Sequence, residues 1–150
     1  MNPGGTTDAE IEVAAGLIFR DGRLLVAQRR RGDHLGGFWE FPGGKRMTHE
    51  TFEECLCREL KEELDVEVEV GELVETVRHA YPERRILLKF YRCRLRAGEP
   101  RSVGCDALAW IRAEELADYV FPAADAVLVN RLRYSPAWWD SGCGPSQTPP

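Results

Sequence analysis

The chain has 150 residues, 43% hydrophobic and 30% charged, which fits one compact domain with its own core and leaves no room for a second. Its net charge of 20 − 25 = −5 argues against a binder of nucleic-acid polymers, which needs a surplus of Lys and Arg. Small anionic ligands would require local arginines or a bridging cation.

Met1 to Glu10 has no basic segment followed by an apolar stretch and reads as a flexible amino terminus over residues 1–10. With apolar runs too short to span a bilayer, the expectation is a cytoplasmic protein without membrane contact, monomeric or homodimeric. The domain proper is expected over 11–134. Ile11 to Phe19 is apolar at nearly every position, as in a strand buried on both faces. Asp21-Gly22 then turns the chain into Leu24–Ala27, making a hairpin.

Arg29 to Asp33 is a charged loop, and Phe38 to Phe41 a short aromatic strand that stops at Pro42-Gly43-Gly44. Thr51 with Glu54 forms a capping-box signature, and Phe52, Leu56, Leu60 and Leu64 make a helical apolar stripe. Val66–Val70 alternates, and longer strands at Leu73–Val77 and Ile86–Leu95 flank a Tyr81-Pro82-Glu83 turn. A strand at Ala107–Ile111, a short helix at 113–119 and a last helix at Ala126–Leu132 complete the domain. Residues 135–150 are rich in Pro, Gly and Ser and read as a disordered tail, with the Trp138-Trp139 pair able to dock on the body.

Five cysteines, Cys55, Cys57, Cys93, Cys105 and Cys143, are odd in number and lack paired spacing. Reduced thiols are expected, with no disulfide framework and no zinc site. Cys55 and Cys57 fall on different helix faces. His34, His49 and His79 stand apart from any catalytic constellation and read as surface or loop residues.

The chemistry concentrates in Gly44 to Val66. Glu59, Glu62 and Glu63 lie at i, i+3 and i+4, so a helix puts three carboxylates on one face. An acidic face is commonly just solvated. Here a Gly-Gly loop precedes it, and carboxylates grouped on a rigid element suit a hard divalent ion that bridges to substrate phosphates.

Gly44, Glu50, Arg58-Glu59-Leu60-Lys61-Glu62-Glu63 and Val66 match the signature G-x5-E-x7-R-E-U-x-E-E-x-G-U at every fixed position but the last glycine, where Asp65 stands. That pattern resembles the Nudix hydrolases. Asp65 should tolerate the left-handed backbone expected there, at a modest strain cost. Gly37 to Lys45 and Phe121 to Asp125 look like the MutT branch and the similar CTP pyrophosphohydrolases. The resemblance implies an α/β/α sandwich with a mixed, curved sheet, and Mg2+, or Mn2+, as cofactor. It also implies a nucleotide partner, hydrolysed from triphosphate to monophosphate and pyrophosphate.

Carried over by position, the Gly44 carbonyl, Glu59 and Glu63 would be the main metal ligands, with Glu62 sharing ligation or activating water. Arg58 would orient the carboxylates and Glu50 would support loop and helix. Relatives of this kind often add an acidic ligand from the loop before the Trp110 strand; Gly104 aligns there, and Asp106 is the candidate substitute. Arg29 and Lys45 would neutralise phosphates, although Arg29 also fits a solvated loop arginine.

Base choice should rest on Glu40, Phe41, Tyr81, Arg84 and Asp125. An ionised Asp125 would accept from guanine N1 and N2, and a protonated one would pair with cytosine. It also fits the N-cap of the last helix. Phe38, Trp39 and Phe41 suit either base stacking or the core. Two other readings stay open: hydrolysis of another diphosphate such as ADP-ribose, and a non-catalytic nucleotide-binding module.

Overall fold

The computed structural model describes residues 10–141. Residues 1–9 and 142–150, with Cys143, lie outside them. Seven strands form one mixed sheet: β1 Glu10–Arg20, β2 Arg23–Gln28, β3 Trp39–Glu40, β4 Gly43–Lys45, β5 Glu67–Tyr81, β6 Arg84–Ala97 and β7 Ala107–Ile111. The order is β3-β2-β1-β6-β5, with β4 added on β1 and β7 on β2. β1 starts at Glu10, inside the segment expected to be flexible, and pairs in parallel with β6 from Glu10↔Arg85 to Ile18↔Cys93.

The unbroken apolar run of β1 follows from this position, because alternate residues enter separate cores. Leu17 and Phe19 face one core with Phe90, while Ala14 and Ile18 face the other with Leu25. The β1–β2 turn has Asp21 at φ 54 and Gly22 at φ 76, the paired left-handed residues of a type I′ hairpin.

Helix α1 (Phe52–Leu64) covers the second core with Leu56, Leu60 and Leu64, all fully buried. Thr51 Oγ1 accepts from Glu54 N at 3.0 Å, and Glu54 Oε1 accepts from Thr51 N at 2.9 Å. This reciprocal cap sets where the helix begins. It ends on Asp65, whose φ of 60 and ψ of 44 are left-handed and whose N–H bonds to the Lys61 carbonyl. The other core is covered by a 3₁₀ turn at Ala113–Asp118, by α2 (Ala126–Arg133) and by α3 (Pro136–Ser141). The expected α/β/α sandwich is the observed fold.

Three expectations are corrected. Gly43–Lys45 is itself a strand, paired to Val13–Ala15. The two segments expected at Val66–Val70 and Leu73–Val77 are one strand whose register slips around Val70 to Glu75, so a bulge replaces the break. Disorder beyond Tyr134 does not hold for Pro136–Ser141. Trp139 is 5% exposed, meets the Phe19 ring edge-on at 5.3 Å and donates through Nε1 to the Leu132 carbonyl at 3.0 Å. One indole thus fills the core and adds a side-chain donor to a carbonyl at the end of α2, beside the Ser135 N–H at 3.5 Å.

Candidate active site

β4 and α1 meet where Gly44 passes under Glu59: a Cβ on Gly44 would stand 2.2 Å from Glu59 Cδ. Only glycine lets the strand approach the carboxylate this closely. The Gly44 carbonyl accepts the Cys55 thiol at 3.4 Å, and that buried thiol is pushed up to about 12 by desolvation first and the Glu50 charge second. Cys57, two residues on, is exposed, as the helix faces require.

Arg58 bridges Glu50, Glu59 and Glu62. Its Nε and Nη2 donate to the two Glu50 oxygens at 3.0 and 2.8 Å, and Nη1 donates to Glu59 at 3.0 Å and Glu62 at 3.2 Å. Nη2 also reaches the Lys45 carbonyl at 3.1 Å. Glu50, further bonded by Met47 N at 2.8 Å, is held down at about 2, chiefly by its bonds to Arg58. This pair ties the β4–α1 loop to the helix.

Glu59 and Glu63 face a depression with Gly44, Lys45, Arg29 and Arg46 around it. Glu62 is turned out, its side chain 59% exposed, against 15% for Glu59. Burial pushes Glu63 up to about 8, with the Glu59 and Glu40 charges adding to it. Burial also raises Glu59, against the opposing pull of Arg58. Among the described residues no three His, Cys, Asp or Glu side chains already converge as a ligand set. Two crowded carboxylates thus share one wall, a donor set in which a cation would relieve their mutual repulsion.

A second depression adjoins the first and shares Arg29, Glu40, Gly43, Gly44 and Lys45 with it. Arg29 Nη1 donates to Glu40 at 2.8 Å and its Nε to the His34 carbonyl at 2.6 Å. Burial raises Glu40, partly offset by Arg29. The floor is apolar, with Phe41, Ile86 and Leu88. Phe41 is 3% exposed and stacks on Phe121 at 5.0 Å, so it belongs to the core and offers only its rim. Trp39 packs edge-on against Tyr119 at 4.9 Å and does not line this depression.

Tyr81 and Arg84 line it from the β5–β6 turn, and Tyr81 Oη accepts from Ala124 N at 3.0 Å. Asp125, 6% exposed, lines it as well. It occupies the N-cap position of α2, as one reading of the sequence expected, but its side chain makes no capping bond. Desolvation pushes Asp125 up to about 8, with the Glu40 charge adding and Arg29 opposing.

Asp106, like the outward-turned Glu62, is an expected metal residue that stays out. It lines neither depression, and its Oδ2 accepts from Arg31 N at 3.2 Å. Sequence reasoning passed over Arg30 and Arg46, which line the carboxylate side. His34 and Leu35, which line the apolar side, were passed over as well. His34 meets the Tyr81 ring at 5.7 Å, and Leu35 is held at φ 58, an unusual state for a γ-branched residue. The run Arg29-Arg30-Arg31 was the available signal for Arg30; nothing local marks Arg46, His34 or Leu35.

Residues 14–131 match the NUDIX domain. The chain is 38% identical over 120 residues to the CTP pyrophosphohydrolase of Escherichia coli strain K12, covering 80% of this chain and 89% of that one. It is 45% identical over 83 residues to the 8-oxo-dGTP diphosphatase of Proteus vulgaris, covering 55% and 74%. The crystal structure of a MutT Nudix hydrolase from Burkholderia pseudomallei superposes with a TM-score of 0.72 at 28% identity, over 82% of this chain and 98% of that one. With the carboxylate helix, its glycine and its arginine in the arrangement described, the chain belongs to the Nudix hydrolase family, whose members generally use a divalent metal.

Proposed function

We propose that this chain is a magnesium-dependent nucleoside triphosphate pyrophosphohydrolase that clears a modified nucleotide, releasing the monophosphate and pyrophosphate. The observation that carries this reading is the pair of adjoining depressions: crowded carboxylates and arginines in one, an apolar floor with the buried Asp125 in the other. Triphosphate and base have matching ends. The names of the Escherichia coli and Proteus relatives support both halves.

Glu59, Glu63 and the Gly44 carbonyl would hold the metal, with Glu62 joining from the rim. Magnesium bound there supplies charge cancellation on phosphate oxygens and a more acidic attacking water. Arg29, Lys45 and Arg46 grip the phosphates. Arg58 keeps Glu59 in place and Glu50 keeps Arg58 in place, so the helix carboxylates need little rearrangement on binding.

Asp125, raised to about 8, is a neutral acid near pH 7 and offers one donor beside one acceptor. Cytosine presents that complement through its exocyclic amine and N3. So does 8-oxoguanine, through N7–H and O6, whereas guanine has two acceptors on that edge. Phe41, Tyr81 and Arg84 frame the base, and Glu40 with Arg29 spans the junction between base and phosphates. Among the described residues no helix is long and apolar enough to cross a membrane. A cytoplasmic location and a monomeric or homodimeric state complete the reading.

The test is pyrophosphate release from a panel of canonical and oxidised nucleoside triphosphates, with and without magnesium. Metal-dependent release, fastest with 8-oxo-dGTP or a cytidine-type triphosphate, is expected. Silence across the panel refutes the reading, and ribose 5-phosphate formed from ADP-ribose as the preferred substrate would replace it.

A further inference from the structure

The β6–β7 loop touches the carboxylate helix on one side and the arginine loop on the other. Arg101 N donates to the Leu64 carbonyl at 3.0 Å, while Val103 N and Gly104 N donate to the Glu63 carbonyl at 3.1 and 2.9 Å. These bonds occupy acceptors that the last turn of α1 leaves open. Gly104 lies flat against Glu63, where a Cβ would meet Cγ at 3.0 Å and Cα at 3.2 Å. The loop supports Glu63 through its backbone and sends no carboxylate toward it.

Across the loop, Arg30 Nη2 donates to the Val103 carbonyl at 3.0 Å and Asp106 N to the Gln28 carbonyl at 2.9 Å. Arg31 N donates to Asp106 Oδ2 at 3.2 Å. Two hydrogen bonds therefore fasten the arginine loop, and a third the end of β2, to the segment that braces Glu63. Arg29 and Arg30, which line the carboxylate depression, lie two residues and one residue before the fastened Arg31 amide.

We infer that Asp106 is a positioning residue: by holding the Arg31 amide it fixes how far Arg30 and the phosphate-gripping Arg29 stand from Glu59 and Glu63. This rests on the triphosphate reading above. The carboxylate that sequence comparison would have assigned to the metal does mechanical work instead, at a position two residues past a glycine that bears no ligand. Loosening the loop then weakens the hold on substrate phosphates and leaves metal binding intact. A net hydrogen bond of ordinary strength corresponds to about a fivefold effect.

Asp106→Ala, Asp106→Asn and the unaltered chain would be compared in two measurements. The first is binding of Mn2+ alone, followed by electron paramagnetic resonance; the second is steady-state turnover of 8-oxo-dGTP and dCTP. Mn2+ affinity should be equal in all three. Asp106→Ala should raise KM about fivefold with kcat unchanged, and Asp106→Asn should restore KM, because its amide oxygen accepts the same N–H. A ligand role predicts the opposite for the second variant, a loss of about tenfold or more in Mn2+ affinity, and that outcome overturns the inference. An unchanged KM in Asp106→Ala, with its thermal midpoint intact, overturns it as well. If the unaltered chain neither binds Mn2+ nor turns over either nucleotide, the hydrolase reading falls together with the inference.

Discussion

Replacing Asp125 by Asn keeps the shape of a buried side chain and removes its ability to ionise. In the folded protein Asp125 is pushed from an ordinary 3.8 up to about 8, so the native state holds a proton that the unfolded chain gives up. Stability contributed by this group is complete below 3.8 and is lost as pH rises from there through about 8. Each pH unit in that window costs about 1.4 kcal/mol, which puts the deficit near neutrality on the order of 4 kcal/mol. An asparagine pays none of it. At about 3 °C per kcal/mol for a domain of this size, Asp125→Asn should melt roughly 10 °C higher near neutrality and converge with the parent at acid pH. Differential scanning fluorimetry across the acid-to-neutral range measures this. Parallel melting curves for the two proteins would refute a neutral, buried Asp125, and with it the donor–acceptor account of base reading.

Gly44→Ala should abolish turnover and lower the melting point, since its methyl would collide with Glu59 at 2.2 Å; an active, stable variant would show that the strand does not need this approach. Glu63, raised to about 8 by burial, must lose a proton to bind a cation, so Mg2+ affinity measured by calorimetry should climb with pH until about 8 and release protons below it. Asp65→Gly relieves a left-handed φ of 60 and should stabilise the chain by about 0.5–1 kcal/mol in urea unfolding, less whatever the exposed pairs to Lys61 and Arg101 contribute. Trp139→Ala should cost about 3–5 kcal/mol in the same assay; a change below 1 kcal/mol would mean that α3 is dispensable to the core.

The parts legible in the sequence are those whose determinants are local. Thr51 and Glu54 state where α1 begins, its leucines state which face is buried, and the spacing of Glu59 and Glu63 follows from helix geometry alone. Asp65 was readable as a left-handed residue because the motif asks for glycine there. What escaped depends on distant partners. Gly43–Lys45 is a strand only because Val13–Ala15 lies beside it, and β5 continues past its irregularity because β6 pairs with both halves. Asp125 followed the local rule for a cap, yet the approach of Tyr81 to Ala124 N places it within the wall of a pocket. Averaged composition hid α3, where a single indole outweighs its polar surroundings.

Glu62 shows how far a shared motif leaves roles undivided. The sequence puts Glu59, Glu62 and Glu63 on one helix face, but Arg58 holds them unequally: one bond at 3.0 Å to Glu59 and a longer one, 3.2 Å, to Glu62, while its bonds at 2.8 and 3.0 Å go to Glu50 in the loop before the helix. The Glu62 contact is an exposed i,i+4 pair, worth about 0.3–0.5 kcal/mol. Breaking it is cheap compared with the relief a cation gives to the crowded pair Glu59 and Glu63. In the proposed metal site Glu62 would be the member of the motif that exchanges arginine for metal, while Glu59, close over Gly44 and bonded to Arg58, already stands in place.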